Sequence, residues 1–279
     1  MTAFVAFIIG TFDIILYSPN GKCLHKLTPN LPRVLDISGQ SVLGIIADEK
    51  ILACGGTYNY NCYLYDVVAD QWSIYSTSHY DSTEHPGVFH KGKFYLSHDS
   101  NPQVFDPSTK TWSTWPVSPE RSLYACLVSW NDVIIQIGGW DTGTRIFSYN
   151  PATNTWTNMN APAPPKGLFY MSCLILPNMN VLVAGLQHQQ ILTSYNVTSN
   201  TWGLNITTAL PVDYSSLVLL GSRSFIVPYH SSFMEFSYNN QSVTVTDTNF
   251  ITRHAYYPGV VAVPDAWFSY LPGGCVGVK

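Results

Sequence analysis

Imidazole is the commonest nitrogen ligand for zinc and copper, and this chain carries 8 histidines. None stands in a short ligand spacing such as His-x-His or His-Glu-x-x-His, so polar loop residues bonded to backbone or water are the simpler reading. Asp13, Asp99, Asp141 and Asp213 could include a carboxylate pair for acid/base work on a sugar, which needs a separation of about 5–9 Å. Aspartate also favours turns for backbone reasons. Gly-x-Ser-x-Gly, a Walker-type loop, a dinucleotide fingerprint and Cys-x-x-Cys are absent. The arginines are Arg33, Arg121, Arg145, Arg223 and Arg253, too few for an evident pocket for an acidic sugar.

What must position such residues is a repeat. An Asp or Asn, five residues and then a Trp recur four times, from Asp66 to Trp72, Asp106 to Trp112, Asn150 to Trp156 and Asn196 to Trp202. An aromatic precedes each: Tyr65, Phe105, Tyr149 and Tyr195. Successive steps along Trp72, Trp112, Trp156 and Trp202 are 40, 44 and 46 residues, a period of stacked or radial repeats. Asp or Asn opening a turn, sometimes followed by Pro, favours type I geometry and puts the aromatic and the Trp on two antiparallel strands. Apolar runs at 51–56, 94–98, 133–139 and 181–185 lie upstream of each turn, and two of them end in Gly-Gly, where a strand leaves its sheet and the backbone needs freedom or close approach. Further apolar segments at 41–47, 87–90, 124–130 and 171–176 come before these, so the unit is four short strands with no room for a helix.

Apolar strand, Gly-Gly, a Tyr-Asp-Pro-like turn and then Trp is the pattern of Kelch repeats. The chain resembles a Kelch-type β-propeller of the galactose oxidase/Kelch superfamily over residues 41–203. A degenerate unit fits 214–247, with 224–230 for the Gly-Gly strand, 236–239 for the turn and Val243 or Val245 for the Trp. Residues 4–10, 13–18 and 22–27 supply three strands of another unit, and 259–263 reads as its innermost strand. Propellers close by completing one blade with both chain ends. The expectation is one all-β domain over 1–279, a six-bladed propeller of four-stranded antiparallel blades. Its blades lie at about 4–27 plus 257–265, 41–75, 86–115, 124–157, 169–203 and 214–247.

The resemblance also implies where ligands bind: on the loops at one face, around the channel. Carried over position by position, it places there Tyr58, His98, Trp140, His188, Tyr229 and His230, and also His85, Arg121, Lys166, Asp213 and His254. Phe12, Tyr58, Tyr60, Trp140 and Tyr229 would line a funnel suited to a peptide segment or a carbohydrate ring. Arg121 matches a position where Kelch domains often place an arginine that grips an acidic partner. Tyr229-His230 is similar to a dipeptide of copper-radical oxidases, with His254 and Tyr58 as stand-ins for two further residues of that site. The function expected is a non-catalytic recognition module without cofactor, binding a protein segment or glycan at the channel mouth. The rival is a copper- or zinc-dependent oxidase or a sugar-modifying enzyme on the same His-rich face.

Aromatics at 14% against only 11% charged residues suit a large apolar core, and a net charge of −4 without basic runs argues against nucleic acid or an acidic membrane surface. No apolar stretch reaches the roughly 20 residues of a membrane span, and a soluble monomer is expected. Residues 1–10 lack a basic flank and a small-residue cleavage site, so they read as a strand, with an upstream segment left open. Of the 6 cysteines, Cys54 and Cys62 could pair across a hairpin, and Cys23 and Cys275 could staple the closing blade. Cys126 and Cys173 fall on equivalent inner strands of neighbouring blades, read as too far apart to pair and therefore as buried thiols. The alternative is six reduced core cysteines; two disulfides and an extracellular setting are favoured over a cytoplasmic one. Sequons at Asn196, Asn205 and Asn240 are glycosylation candidates, in a number that chance would also produce.

Overall fold

The computed structural model describes residues 4–9, 14–18, 23–27, 42–55, 61–77, 85–140, 145–164, 171–176, 180–186, 189–208, 216–220, 223–227, 233–237, 242–247, 259–264, 267 and 276–277. Among the described residues all regular structure longer than a turn is β. The N-terminal strands are β1 (Phe4–Ile9), β2 (Ile14–Ser18) and β3 (Cys23–Leu27). Then follow β4 (Val42–Ala47), β5 (Lys50–Cys54), β6 (Asn61–Asp66) and β7 (Gln71–Thr77). Next come β8 (Gly87–His90), β9 (Lys93–Leu96), β10 (Gln103–Asp106) and β11 (Thr111–Thr114). The central strands are β12 (Cys126–Trp130), β13 (Val133–Ile137), β14 (Ile146–Asn150) and β15 (Thr155–Asn158). After them run β16 (Ser172–Ile175), β17 (Asn180–Leu186), β18 (Gln189–Asn196) and β19 (Thr201–Thr207). The last are β20 (Ser216–Leu220), β21 (Arg223–Val227), β22 (Phe233–Ser237), β23 (Ser242–Asp247), β24 (Gly259–Pro264) and β25 (Val276–Gly277).

Each run of four from β4 to β23 forms its own antiparallel sheet in sequence order. The remaining sheet is β24-β1-β2-β3-β25, so the C-terminal β24 pairs with the N-terminal β1, Ala6 opposite Ala262. It has five strands where four were expected, because the two-residue β25 adds Val276 opposite Leu24 and Gly277 opposite Cys23. First strands of successive sheets pack beside one another in the order β4, β8, β12, β16, β20, β24 and again β4.

The repeat sets the local geometry. Tyr65, Phe105, Tyr149 and Tyr195 stand directly opposite Trp72, Trp112, Trp156 and Trp202, with ring centroids 5.0, 4.7, 5.2 and 5.2 Å apart. The Asp or Asn between them caps the turn: Asp66 Oδ1 accepts from the Val68 and Ala69 amides, Asp106 from Ser108, Asn150 from Ala152 and Asn196 from Ser199. Each turn leaves through a left-handed residue, Asp70, Lys110, Asn154 or Asn200, at φ 49°, 57°, 57° and 54°. The Trp indoles then tie sheet to sheet. Trp112 Nε1 donates to Ser76 Oγ at 2.9 Å, Trp156 to the Pro116 carbonyl at 2.9 Å and Trp202 to the Pro162 carbonyl at 2.8 Å.

Second strands are buried on both sides, and their two-residue period divides them between neighbouring interfaces. Ile51 and Ala53 join the cluster of Tyr65 and Trp267, whereas Leu52 and Cys54 face Phe94 and Phe105. In the same way Ile135 and Ile137 pack toward Val181 and Val183, while Ile134 packs toward Tyr95 and Trp115. Burial of each isoleucine or leucine among them stabilises the fold by roughly 1.5–3 kcal/mol.

Cys54 pairs with Cys62 across β5 and β6. Cys126 and Cys173 also form a disulfide, which corrects the expectation of separate buried thiols. Their Cα atoms are 5.8 Å apart, because β12 and β16 run closer together than the roughly 10 Å of stacked sheet faces. The Cys23–Cys275 pairing lies outside the described residues.

Candidate functional site

In antiparallel sheets threaded in order, the loops after the second strands and those before the first strands open on the same side. Three of these loops meet between the sheets β8–β11 and β12–β15: 97–102 after β9, 115–125 before β12, and 138–145 after β13, whose residues 141–144 fall outside the description.

The first loop is anchored by Ser97, whose amide and hydroxyl both donate to the Pro86 carbonyl at 2.9 and 2.7 Å. His98 then organises a turn: its Nδ1 accepts from the Ser100 and Asn101 amides at 3.1 and 3.2 Å. That nitrogen is committed to the backbone. The His98 ring stacks on His85 with centroids 4.6 Å apart.

Asp99 is the hub. Its carboxylate accepts from Arg121 Nε at 2.8 Å and from the Ser122 amide at 2.8 Å, and His85 Nε2 lies 3.5 Å away. Partial burial pushes the Asp99 carboxyl up, but the bonds from Arg121 and Ser122, with the charges of His85 and Arg121, outweigh it and hold the group below its ordinary range. Glu120 pairs with Arg145, so the next acid in the loop is also matched. A cleft of about 140 Å³ lies between His98, Asp99 and the segment from Val117 to Ser122.

The third loop approaches from the Gly-Gly step. Gly139 has φ 142°, and a Cβ there would stand 2.0 Å from the Arg121 carbonyl oxygen. Only glycine allows the two loops to touch in this way. Its neighbour Trp140 keeps 41% of its surface exposed and packs against Tyr124 with ring centroids 5.4 Å apart. Buried Gln136 sits beneath, its Nε2 donating to the Gly138 carbonyl at 3.5 Å.

Of the residues expected at this face, the structure therefore brings together His85, His98, Asp99 and Arg121, with Trp140 beside them. Tyr58, His188, Tyr229, His230 and His254 lie outside the described residues, as do Phe12, Tyr60, Lys166, Asp13, Asp141 and Asp213. Sequence reasoning missed Ser122, Tyr124, Val117 and the Glu120–Arg145 pair; only the arginines stood out, as rare residues. Among the described residues no group of three or more His, Cys, Asp or Glu is placed to hold a metal ion. Asn196 is a half-buried turn residue and Asn205 is exposed on β19, while Asn240 is outside the description. No helix among the described residues is long and apolar enough to cross a membrane.

No family model matches the chain. A curated F-box/kelch-repeat protein of Arabidopsis thaliana is 30% identical over 155 residues, covering 47% of this chain and 41% of that protein. The chain thus spans about two fifths of the length of the curated relative it matches. This likeness and the all-β, antiparallel four-stranded sheets are compatible with a Kelch-type propeller.

Proposed function

We propose that this chain is a six-bladed Kelch-type propeller, closed by β24 on β1, and that it acts as a non-catalytic interaction module whose loop face takes a protein segment. The circular order of packing among β4, β8, β12, β16, β20 and β24 supports the ring. The kelch-repeat relative supports interaction as its general role. One observation carries the choice of surface. The groups that could do chemistry, His98, Asp99 and Arg121, are bonded to one another or to backbone, while Trp140 and Val117 stay exposed beside them at 41% and 46%. Rigid exposed aromatic surface next to a charged pair is what partner anchoring uses.

The test is capture from an extract of the source organism by wild type, Trp140→Ala, Arg121→Ala and, as an outer-strand control, Ile74→Ala. Partners held by wild type and Ile74→Ala but lost by the other two support the reading. Identical capture by all four overturns the choice of face.

A further inference from the structure

Two of the three sequons fall on described residues, and the fold gives them different standing. Asn196 ends β18 at the position held elsewhere by Asp66, Asp106 and Asn150, and its Oδ1 accepts from the Ser199 amide at 2.8 Å. Turn chemistry alone accounts for an Asn there. Asn205 heads no such turn.

Asn205 lies within β19, the last strand of its sheet, which among the described residues pairs with β18 alone. Along β19 the exposure alternates. Trp202 and Ile206 are half-buried on opposite faces of the sheet, Trp202 with Val181 and Tyr195 and Ile206 with the cluster of Leu192, Leu217 and Phe236, while Thr201, Gly203, Asn205 and Thr207 are exposed. Acceptor and hydroxyl of the sequon, Asn205 and Thr207, are two residues apart on a strand and so share one face of the sheet, opposite Thr193 and Ile191, and both are exposed. The pairing shifts from Thr193 opposite Asn205 to Tyr195 opposite Trp202, leaving Gly203 and Leu204 opposite Ser194 as a bulge. Asn205 stands opposite buried Thr193 but is itself exposed on the outer strand, so a bulky group on it has a way out to solvent.

The disulfides are an independent observation. Cys54–Cys62 and Cys126–Cys173 belong to the kind of bond that persists in oxidising compartments, the setting in which Asn-x-Ser/Thr acceptors are modified. We propose that Asn205 carries an N-linked glycan and that the chain matures in an oxidising secretory compartment. A lipid-diphosphate-linked oligosaccharide is the donor. The bond from its anomeric carbon to the diphosphate breaks, Asn205 Nδ2 bonds to that carbon, and the amide loses one proton to solvent without any oxidation. On an edge strand the glycan also shields unpaired backbone groups from pairing with another chain. This rests on the rim of the molecule and is independent of what binds the loop face.

Protein isolated from its own cells is treated with peptide-N-glycosidase in heavy-oxygen water, and the peptides spanning Asn196 and Asn205 are weighed. Labelled aspartate at position 205 is the expected result; an unmodified Asn205 overturns the proposal. In parallel the full chain is expressed behind a cleavable leader in eukaryotic cells. Asn205→Gln and Thr207→Ala should each abolish the enzyme-sensitive mobility shift assigned to this site, and Thr207→Ser should retain it. A shift unaffected by either of the first two also overturns it. Occupancy is read on retained as well as secreted material, so poor folding of a variant does not hide the answer.

Discussion

The Tyr65 hydroxyl donates to the Asp70 carboxylate at 2.6 Å, and the same bond joins Tyr149 to Asn154 at 2.7 Å and Tyr195 to Asn200 at 2.5 Å. In each case the acceptor is the left-handed residue that closes the repeat's turn. Burial pushes the phenols up, Tyr149 and Tyr195 to about 12, so they remain donors across the neutral range. The remaining repeat breaks both ends of the bond together: Phe105 has no hydroxyl, and Lys110 replaces the acceptor. Lys110 instead lies over the Tyr75 ring, 4.4 Å from its centroid.

Tyr149→Phe should therefore cost about 1 kcal/mol, the usual net worth of one such hydrogen bond. Asn154→Ala should cost more, since it removes the acceptor and also puts a residue poorly suited to φ 57° at the turn. Thermal melts of the two single variants and the double variant test this. The double variant should lose less than the sum of the singles, because both remove the same bond. Strict additivity would show that the bond contributes nothing.

The repeat was legible because its signals are local: an aromatic, a turn-former and a Trp at constant spacing dictate one hairpin, and Tyr65 does face Trp72. The match of tyrosine with Asp or Asn, and of phenylalanine with lysine, was equally present in the letters. It becomes a bond only when the turn's dihedral angles are known. Arg121 and Trp140 could be placed by position, but Asp99 gained its role from Ser122 and His85, which come from separate segments. The Cys126–Cys173 bond was hidden for a different reason. It depends on how closely β12 and β16 approach, a distance that no single strand's pattern encodes. Strand β25 has only two residues, too few to show any periodicity.

Gly139→Ala should disrupt the loop face. The added Cβ meets a backbone oxygen at 2.0 Å, so one of the two loops must move. Gly92→Ala is the control, since φ there is also positive at 80° but nothing lies within 4 Å. The control should lose about 1–2 kcal/mol from backbone strain alone. Gly139→Ala should lose clearly more and should also change the fluorescence of Trp140. Equal losses, with unchanged fluorescence, would refute the close contact.

His90 supplies a pH dependence. It is 2% exposed, its Nδ1 lies 2.7 Å from Ser129 Oγ, and the charged groups beside it are Lys91 and Asp132, with Tyr95 against the ring. Burial and then the Lys91 charge lower its pKa, with Asp132 opposing. The unfolded chain, where histidine titrates near ~6.5, thus binds the proton more readily than the folded one. This contribution is fully present above that pH and is lost as the pH falls through it toward the lower folded value. Urea midpoints of wild type should drop across this window, and His90→Gln should reduce the slope even if its overall stability is lower. An unchanged slope would count against His90 as the source.

The two disulfides should differ in weight. Cys126 and Cys173 are 47 residues apart, Cys54 and Cys62 only 8. Loop-closure entropy assigns them about 4 and about 2.5 kcal/mol respectively, before any strain. The longer bond also joins different sheets, next to the point where the Met171 amide donates to the Tyr124 carbonyl at 3.3 Å. Removing it as Cys126→Ala with Cys173→Ala should therefore lower the melting temperature more than Cys54→Ala with Cys62→Ala. It should also increase hydrogen exchange at Tyr124 and Trp140, whereas the Cys54–Cys62 pair, confined to one hairpin, should leave that exchange unchanged. Melting and exchange measured on the two double variants check both halves. An equal fall in both melts would mean that the shorter bond carries as much of the fold as the one between sheets.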